Sequence, residues 1–285
     1  MRETWVIKIG SSLVTKSPTG LDVKNIRSWA SQINEIINNN INVIIVSSGA
    51  IAEGMNRLGL VKRPNSSSQL QALAAIGQMG LIKAYEVSFK KYGLLTAQML
   101  LTHEDLSDRE RYLNARNTLS NLIKYNTIPI INENDTISTD EIKFGDNDTL
   151  ASLVANLSEA KNLIILTDQN GLFTSDPKIN ESAELVENIS VTNKKLNKYA
   201  GPSNNTQGRG GMITKIKKKK KAAKSNTRTI ISNGKTKNIL IKILNKEKNI
   251  GTVIYNENSA IKSKKQWIAN SLKIKGKLIV DIGAK

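Results

Sequence analysis

An α/β fold, with a mostly parallel central sheet layered between helices, is what this chain predicts. Three observations carry the expectation: apolar runs of strand length, segments of helical period between them, and small or polar residues wherever an apolar run stops. Thr4–Ile9 (TWVIKI) reads as a buried first strand that runs into the glycine turn GSS. Ile26, Trp29, Ala30, Ile33, Ile36 and Ile37 recur at helical spacing, and NVIIVSSGAI then supplies a second strand ending in small residues. The alternation continues with a long helix (LQALAAIGQMGLIKAYEVSFKKY), a strand (LLTAQMLL), an amphipathic helix (RYLNARNTLSNLIKY) and a strand (TIPIINEN). A helix (NDTLASLVANLS), a strand (KNLIILTD), a lysine-rich helix (GGMITKIKKKKKAAKS) and a strand (TRTIISNG) follow. In such sheets ligands bind at the carboxyl ends of the strands, which is where the polar and glycine motifs fall.

The 285 residues suffice for one large domain or two lobes. No 18-residue apolar run and no leader pattern at Met1 is present, so the expectation is a cytoplasmic protein with no membrane partner. With no cysteine, disulfides and thiolate metal sites are excluded, and the single histidine makes a histidine-built metal or triad site implausible. His103 reads as a loop or helix-start residue without a catalytic part. The net charge of +18 is unevenly spread: residues 1–200 carry 21 Lys+Arg against 21 Asp+Glu, and the last 85 carry 21 against 3. A basic C-terminal region can attract RNA, but Lys, Asn and Ile are abundant throughout, and compositional drift is the preferred reading; a nucleic-acid partner is not expected.

Five constellations could carry chemistry. Lys8 with Gly10, Ser11 and Ser12 places a cation and a tight turn where backbone amides could approach a phosphate, although an ordinary strand-to-helix turn fits as well. SSGAI, with Ser48 and Gly49, suits a ligand bearing a carboxylate or an ammonium, or simply close packing of the turn. Asp135, Asp146, Asn147 and Asp148 gather on two loops after an apolar strand; an oxygen-ligated divalent metal and a solvated acidic loop both remain open there. Thr167 and Asp168 end the strand LIILTD on what looks like a nucleotide side. Last, Arg209, Gly210, Gly211, Met212, Ile213, Thr214 and Lys215 form a glycine-rich approach to a helix start, a natural anion site. Lysines, amides and Mg²⁺ suffice for phosphoryl transfer to a carboxylate, because an ionised acceptor needs no general base.

VIKIGSSLVT, VSSGAIAEG, PIINENDTIST, IKFGDNDTLAS, LTDQNGLFTSDP and GGMITK, in this order over nearly the whole chain, resemble the glutamate 5-kinase branch of the amino acid kinase family. NEND and KFGDND are the sharpest of these. The resemblance implies a three-layer αβα kinase fold over residues 1–260, with a substrate lobe over roughly 1–160, a nucleotide lobe over roughly 161–260, and 261–285 as a C-terminal tail. It further implies ATP and Mg²⁺ and the conversion of L-glutamate to L-glutamyl 5-phosphate, the first step of proline synthesis. Lys8, Asp148 and Lys215 would be catalytic, with Asp148 organising the two lysines. Ser48, Gly49, Asp135 and Asn147 would hold glutamate, and Lys8, Gly10, Thr167, Asp168 and Arg209 to Lys215 would contact the nucleotide; no residue is assigned as a standing metal ligand. Feedback inhibition by proline, a homo-oligomer and a glutamyl phosphate reductase (glutamate-5-semialdehyde dehydrogenase) as pathway partner are also implied. The alternatives kept beside it are a kinase of this fold acting on another carboxylate or phosphate acceptor, and an inactive kinase-like RNA-binding protein.

Three features depart from the family pattern. Arg209 stands where many members have a small hydroxyl residue. In the helix after Lys215, Met212, Ile216, Ala222 and Ala223 leave a thin apolar stripe, so that Lys218, Lys219 or Lys221 must snorkel, and the lobe is expected to be marginally stable and to gain from ATP. KLIVDIGAK resembles only the opening of the lead-in to a PUA domain, which leaves a short form, a truncation and a decaying gene all open.

Overall fold

The structure is a computed structural model, and it describes residues 2–16, 20–138, 147–177, 179–193, 195–199 and 227–257. The sequence expectations for Asp146, for Arg209 to Lys215, for the lysine-rich helix and for the C-terminal tail lie outside these residues.

Eight described strands form one sheet: β1 (Glu3–Ile9), β2 (Ile41–Ser47), β3 (Leu95–Leu101), β4 (Thr127–Glu133), β5 (Asn162–Thr167), β6 (Asn188–Ser190), β7 (Arg228–Asn233) and β8 (Thr252–Tyr255). Their order is β3-β4-β2-β1-β5-β7-β8-β6. Every pairing is parallel except β7 with β8. The reversal at β8 lies outside the alternation read from the sequence, since the short run TVIY gives no direction.

Period-two alternation in β1 sorts its side chains to two faces. Trp5, Ile7 and Ile9 join one core with helix α2 (Val23–Asn38) and α4 (Ser67–Lys90), while Val6 joins a second core with α6 (Arg109–Lys124) and α7 (Asn147–Leu157). Both faces of the sheet are thus covered, which gives the three layers. Lys8 shares the parity of Val6 and so reaches the α7 side.

The remaining described helices are α1 (Ser11–Val14), α3 (Ala50–Arg57), α5 (His103–Ser107), α8 (Leu196–Tyr199) and α9 (Ile239–Leu244). Local signals start several of them. Asp22 accepts the Asn25 amide at 3.0 Å to cap α2, and Asp108 accepts the Arg111 amide at 2.9 Å to cap α6. Thr102 and Asp105 form a reciprocal capping box on α5, so His103 is its first helical residue.

Helices α3 and α4 cross at backbone contact. A methyl group added at Gly77 would sit 1.8 Å from the Ala50 carbonyl oxygen, and one at Gly54 would sit 1.9 Å from that of Leu73. Only glycine permits this approach. Its consequence for the site is direct, because α3 begins immediately after Ser48 and Gly49.

Candidate active site

The chain passes from β1 to β2 on one side of the sheet and from β5 to β7 on the other, so the carboxyl ends of the adjacent strands β1 and β5 meet at a topological switch point. Lys8 lies near the end of β1, and Thr167 closes β5. Lys8 is 7% exposed, and its Nζ lies 2.7 Å from Asp148 Oδ1. Asp148 occupies the first turn of α7, where the positive end of the helix dipole favours a carboxylate. A buried pair of this kind is costly to desolvate and is poorly explained by stability alone.

Next to it, Asn147 Nδ2 approaches three acceptors: the Ser47 carbonyl at 2.9 Å, Ser48 Oγ at 2.8 Å and Asn132 Oδ1 at 2.8 Å. Two hydrogens serve three oxygens, which fixes the amide and ties the ends of β2 and β4 to α7. Asn132 Oδ1 also accepts the Glu133 amide at 2.9 Å, and its Nδ2 donates to Gln78 Oε1 of α4 at 2.9 Å. Tyr85 of α4 meets Ser47 Oγ at 3.0 Å; burial, opposed by that bond, raises its phenol beyond the ordinary range. Asn147 Oδ1 is buried with no hydrogen-bond partner among the described residues.

Gly49 has φ 114, a left-handed conformation that a side chain would strain, and this bend turns β2 into α3. Asp135 follows β4 in a turn steadied by the hydrogen bond from Gln71 Nε2 to the Thr136 carbonyl at 3.2 Å. It is buried, and its Oδ1 too lacks a hydrogen-bond partner among the described residues. Burial pushes its carboxyl up to about 7, against the opposing pull of the Arg63 charge.

At the end of β5, Thr167 is buried and donates to Asp168 Oδ1 at 3.1 Å, while Asp168 is exposed. Asn233 Nδ2 donates to Asn170 Oδ1 at 2.8 Å and joins the loops after β7 and β5. Gly10 follows β1 and opens the turn into α1. Its φ is −70, which any residue adopts, and its amide donates to the Leu166 carbonyl at 3.3 Å rather than standing free. The amides of Ser11 and Ser12, the first helical positions of α1, have no intrahelical acceptor and are the ones left for an anion.

The structure therefore gathers Lys8, Ser48, Gly49, Asn147, Asp148 and Asp135 on neighbouring strand ends, with Thr167 and Asp168 across the β1–β5 junction. Gln78 and Tyr85 were not legible in the sequence because they stand inside a long helix with no local mark. Asn132 was legible only as part of NEND. Among the described residues no group of three or more His, Asp and Glu gathers as a metal cage.

No described helix is long and apolar enough to cross a membrane. The profile of the amino acid kinase family matches residues 3–233. Glutamate 5-kinase from Nitrosospira multiformis is 52% identical over 279 residues, 98% of this chain and 75% of that protein. Glutamate 5-kinase from Burkholderia thailandensis is 51% identical over the same shares of the two chains. Among solved structures, UMP kinase from Ureaplasma parvum superposes with a TM-score of 0.59 at 19% identity, over 90% of this chain and 100% of that one, and so attests the fold. The buried Lys8–Asp148 pair at a parallel-sheet switch point, the profile match and the half-identical relatives together make this chain a member of the amino acid kinase family, in its glutamate 5-kinase branch.

Proposed function

We propose that the chain transfers the γ-phosphoryl group of ATP to the γ-carboxylate of L-glutamate, giving L-glutamyl 5-phosphate and ADP. The observation that carries the reading is the buried ion pair of Lys8 and Asp148 beside the Asn147 amide. A glutamate carboxylate oxygen forms the new bond to phosphorus as the bond to the ADP oxygen breaks, and no proton needs to be removed from the acceptor. What the site must supply is charge neutralisation and alignment. Lys8, held in place by Asp148, faces the phosphoryl group in flight, and the resemblance assigns Lys215 the same duty from the nucleotide side.

Two buried acceptor oxygens without hydrogen-bond partners among the described residues, Asp135 Oδ1 and Asn147 Oδ1, suit the α-ammonium of an amino acid, which brings three N–H donors. Ser48 and Gly49 complete the substrate wall. Thr167, Asp168 and the segment from Arg209 to Lys215 serve the nucleotide. Mg²⁺ would be held mainly by the nucleotide phosphates. When bound, the metal would screen phosphate charge. The same reading divides the domain into a substrate lobe up to about residue 160 and a nucleotide lobe beyond it. It also places the enzyme in the cytoplasm as a homo-oligomer, open to proline inhibition, with a glutamyl phosphate reductase consuming its labile product.

The test is ATP- and Mg²⁺-dependent γ-glutamyl hydroxamate formation from glutamate and hydroxylamine, run beside aspartate and N-acetylglutamate. Product from glutamate alone supports the assignment. Product from another acceptor, or none from a folded chain that binds ATP, overturns the substrate.

A further inference from the structure

Between the amino-terminal halves of β1, β5 and β7 and the loop from α9 to β8 lies a cleft of about 470 Å³, within the roughly 300–1,000 Å³ typical of small-molecule sites. None of its lining residues belongs to the site described above. Trp5, Ile230, Ile243 and Val253 are among its apolar lining residues.

Its carboxylates are already engaged. Glu3 accepts the Trp5 indole N–H at 2.7 Å and the Asn162 amide at 3.0 Å, and pairs with Lys161 at 3.2 Å. Burial alone would raise the Glu3 carboxyl, but the hydrogen bonds from Trp5 and Lys161, with the charges of Lys161 and Arg228, hold it below its ordinary value and keep it ionised. Glu187 accepts the Asn249 backbone amide at 2.8 Å, and Glu247 pairs with Lys242 at 3.1 Å.

The cations are not so matched. Arg228, whose charge also acts on Glu3, and Lys246 and Lys248 line the cleft at exposed positions and form no ion pair within 4 Å among the described residues, so that with Lys161 the lining cations outnumber the three carboxylates. Asn162, also in the lining, is 3% exposed; its Nδ2 is committed to Glu3, and its Oδ1 is buried with no hydrogen-bond partner among the described residues. A buried acceptor left without a donor is expensive, and a ligand donor would relieve that cost.

We infer that this cleft is a second small-molecule site, built for an amphipathic organic anion. Its acidic group, a carboxylate, sulfonate or phosphate monoester, faces Arg228, Lys246 and Lys248. Its apolar body lies over Trp5 and Ile230, and one N–H or O–H meets Asn162 Oδ1. The site is separate from the kinase centre, since β1 and β5 carry Trp5 and Asn162 toward one end and Lys8 and Thr167 toward the other.

The probe is 8-anilinonaphthalene-1-sulfonate, which combines a sulfonate, apolar rings and one N–H. Fluorescence titration of the full chain should give one saturable site per chain, unchanged by saturating MgATP and glutamate. Arg228→Glu with Lys246→Glu should weaken it at least tenfold. Lys24→Glu with Lys124→Glu, the same charge change at exposed positions on α2 and α6, should alter it less than twofold. Should the first pair fail to fold, Arg228→Gln with Lys246→Gln should still weaken binding at least threefold. Absence of a saturable site, displacement by MgATP or glutamate, or equal weakening by the control pair would overturn the inference.

Discussion

Asp135 offers a quantitative test of the substrate site. Its carboxyl is raised from the ordinary 3.8 to about 7 by burial, and an ammonium is attracted only to its ionised form. With the value near 7, roughly one chain in eleven carries the charge at pH 6 and about ten in eleven at pH 8. The apparent KM for glutamate should therefore fall about tenfold over that range, with kcat changing less. An ordinary aspartate would give a flat profile. The assay is steady-state ADP release under saturating MgATP at half-unit pH steps, repeated for Asp135→Asn, whose KM should be higher and independent of pH. Binding at pH 7 should also release about half a proton per glutamate, read by calorimetry in buffers of different ionisation enthalpy. A flat KM in the unmodified chain, or an equal slope in Asp135→Asn, refutes the reasoning. The sign for stability runs oppositely: the raised carboxyl contributes fully below about pH 4, and that contribution is lost as pH rises through about 7.

Asn147→Ala removes the amide that joins Ser47, Ser48 and Asn132 and should raise the glutamate KM roughly tenfold or more; an unchanged KM would take Asn147 out of the substrate site. Asp148→Asn leaves Lys8 without its buried partner, so chemical denaturation should show a loss of about 3–5 kcal/mol and turnover should fall sharply. Near-normal values for both would contradict the role given to the pair. Gly77→Ala forces a methyl onto the Ala50 carbonyl and should cost about 3 kcal/mol or more, visible as a lowered urea midpoint. MgATP at about a hundred times its Kd should stabilise the chain by about 2.7 kcal/mol, and a thermal melt with no shift would argue against nucleotide binding.

Much of this site was legible because its chemistry sits where apolar runs stop. Lys8, Ser48, Asp135 and Thr167 each mark the end of a strand or the turn just after it, and parallel topology brings those ends together. The supports were harder to see. Gln78, Tyr85 and Gly77 lie within α4, and their meaning depends on which residues face them across the layer, information that periodicity does not hold. The cleft beneath the α9–β8 loop left no motif, because its residues come from strands far apart in the chain.

The position of β1 at the centre of the sheet has a consequence for how the protein is made. Glu3 must wait for Asn162, 159 positions later, before its strand gains the neighbour on its second side. At ribosomal rates of 5–20 residues per second that interval is roughly 8–30 s, during which a strongly apolar strand edge emerges unpaired. Loop closure over such a span makes the β1–β5 pairing a slow, late event. Lys8 on β1 and the β5 residues beside it therefore come together only once β5 has emerged, with β6, β7 and β8 still to follow. Chains that stop before β5 carry that unpaired edge of β1 and no kinase centre.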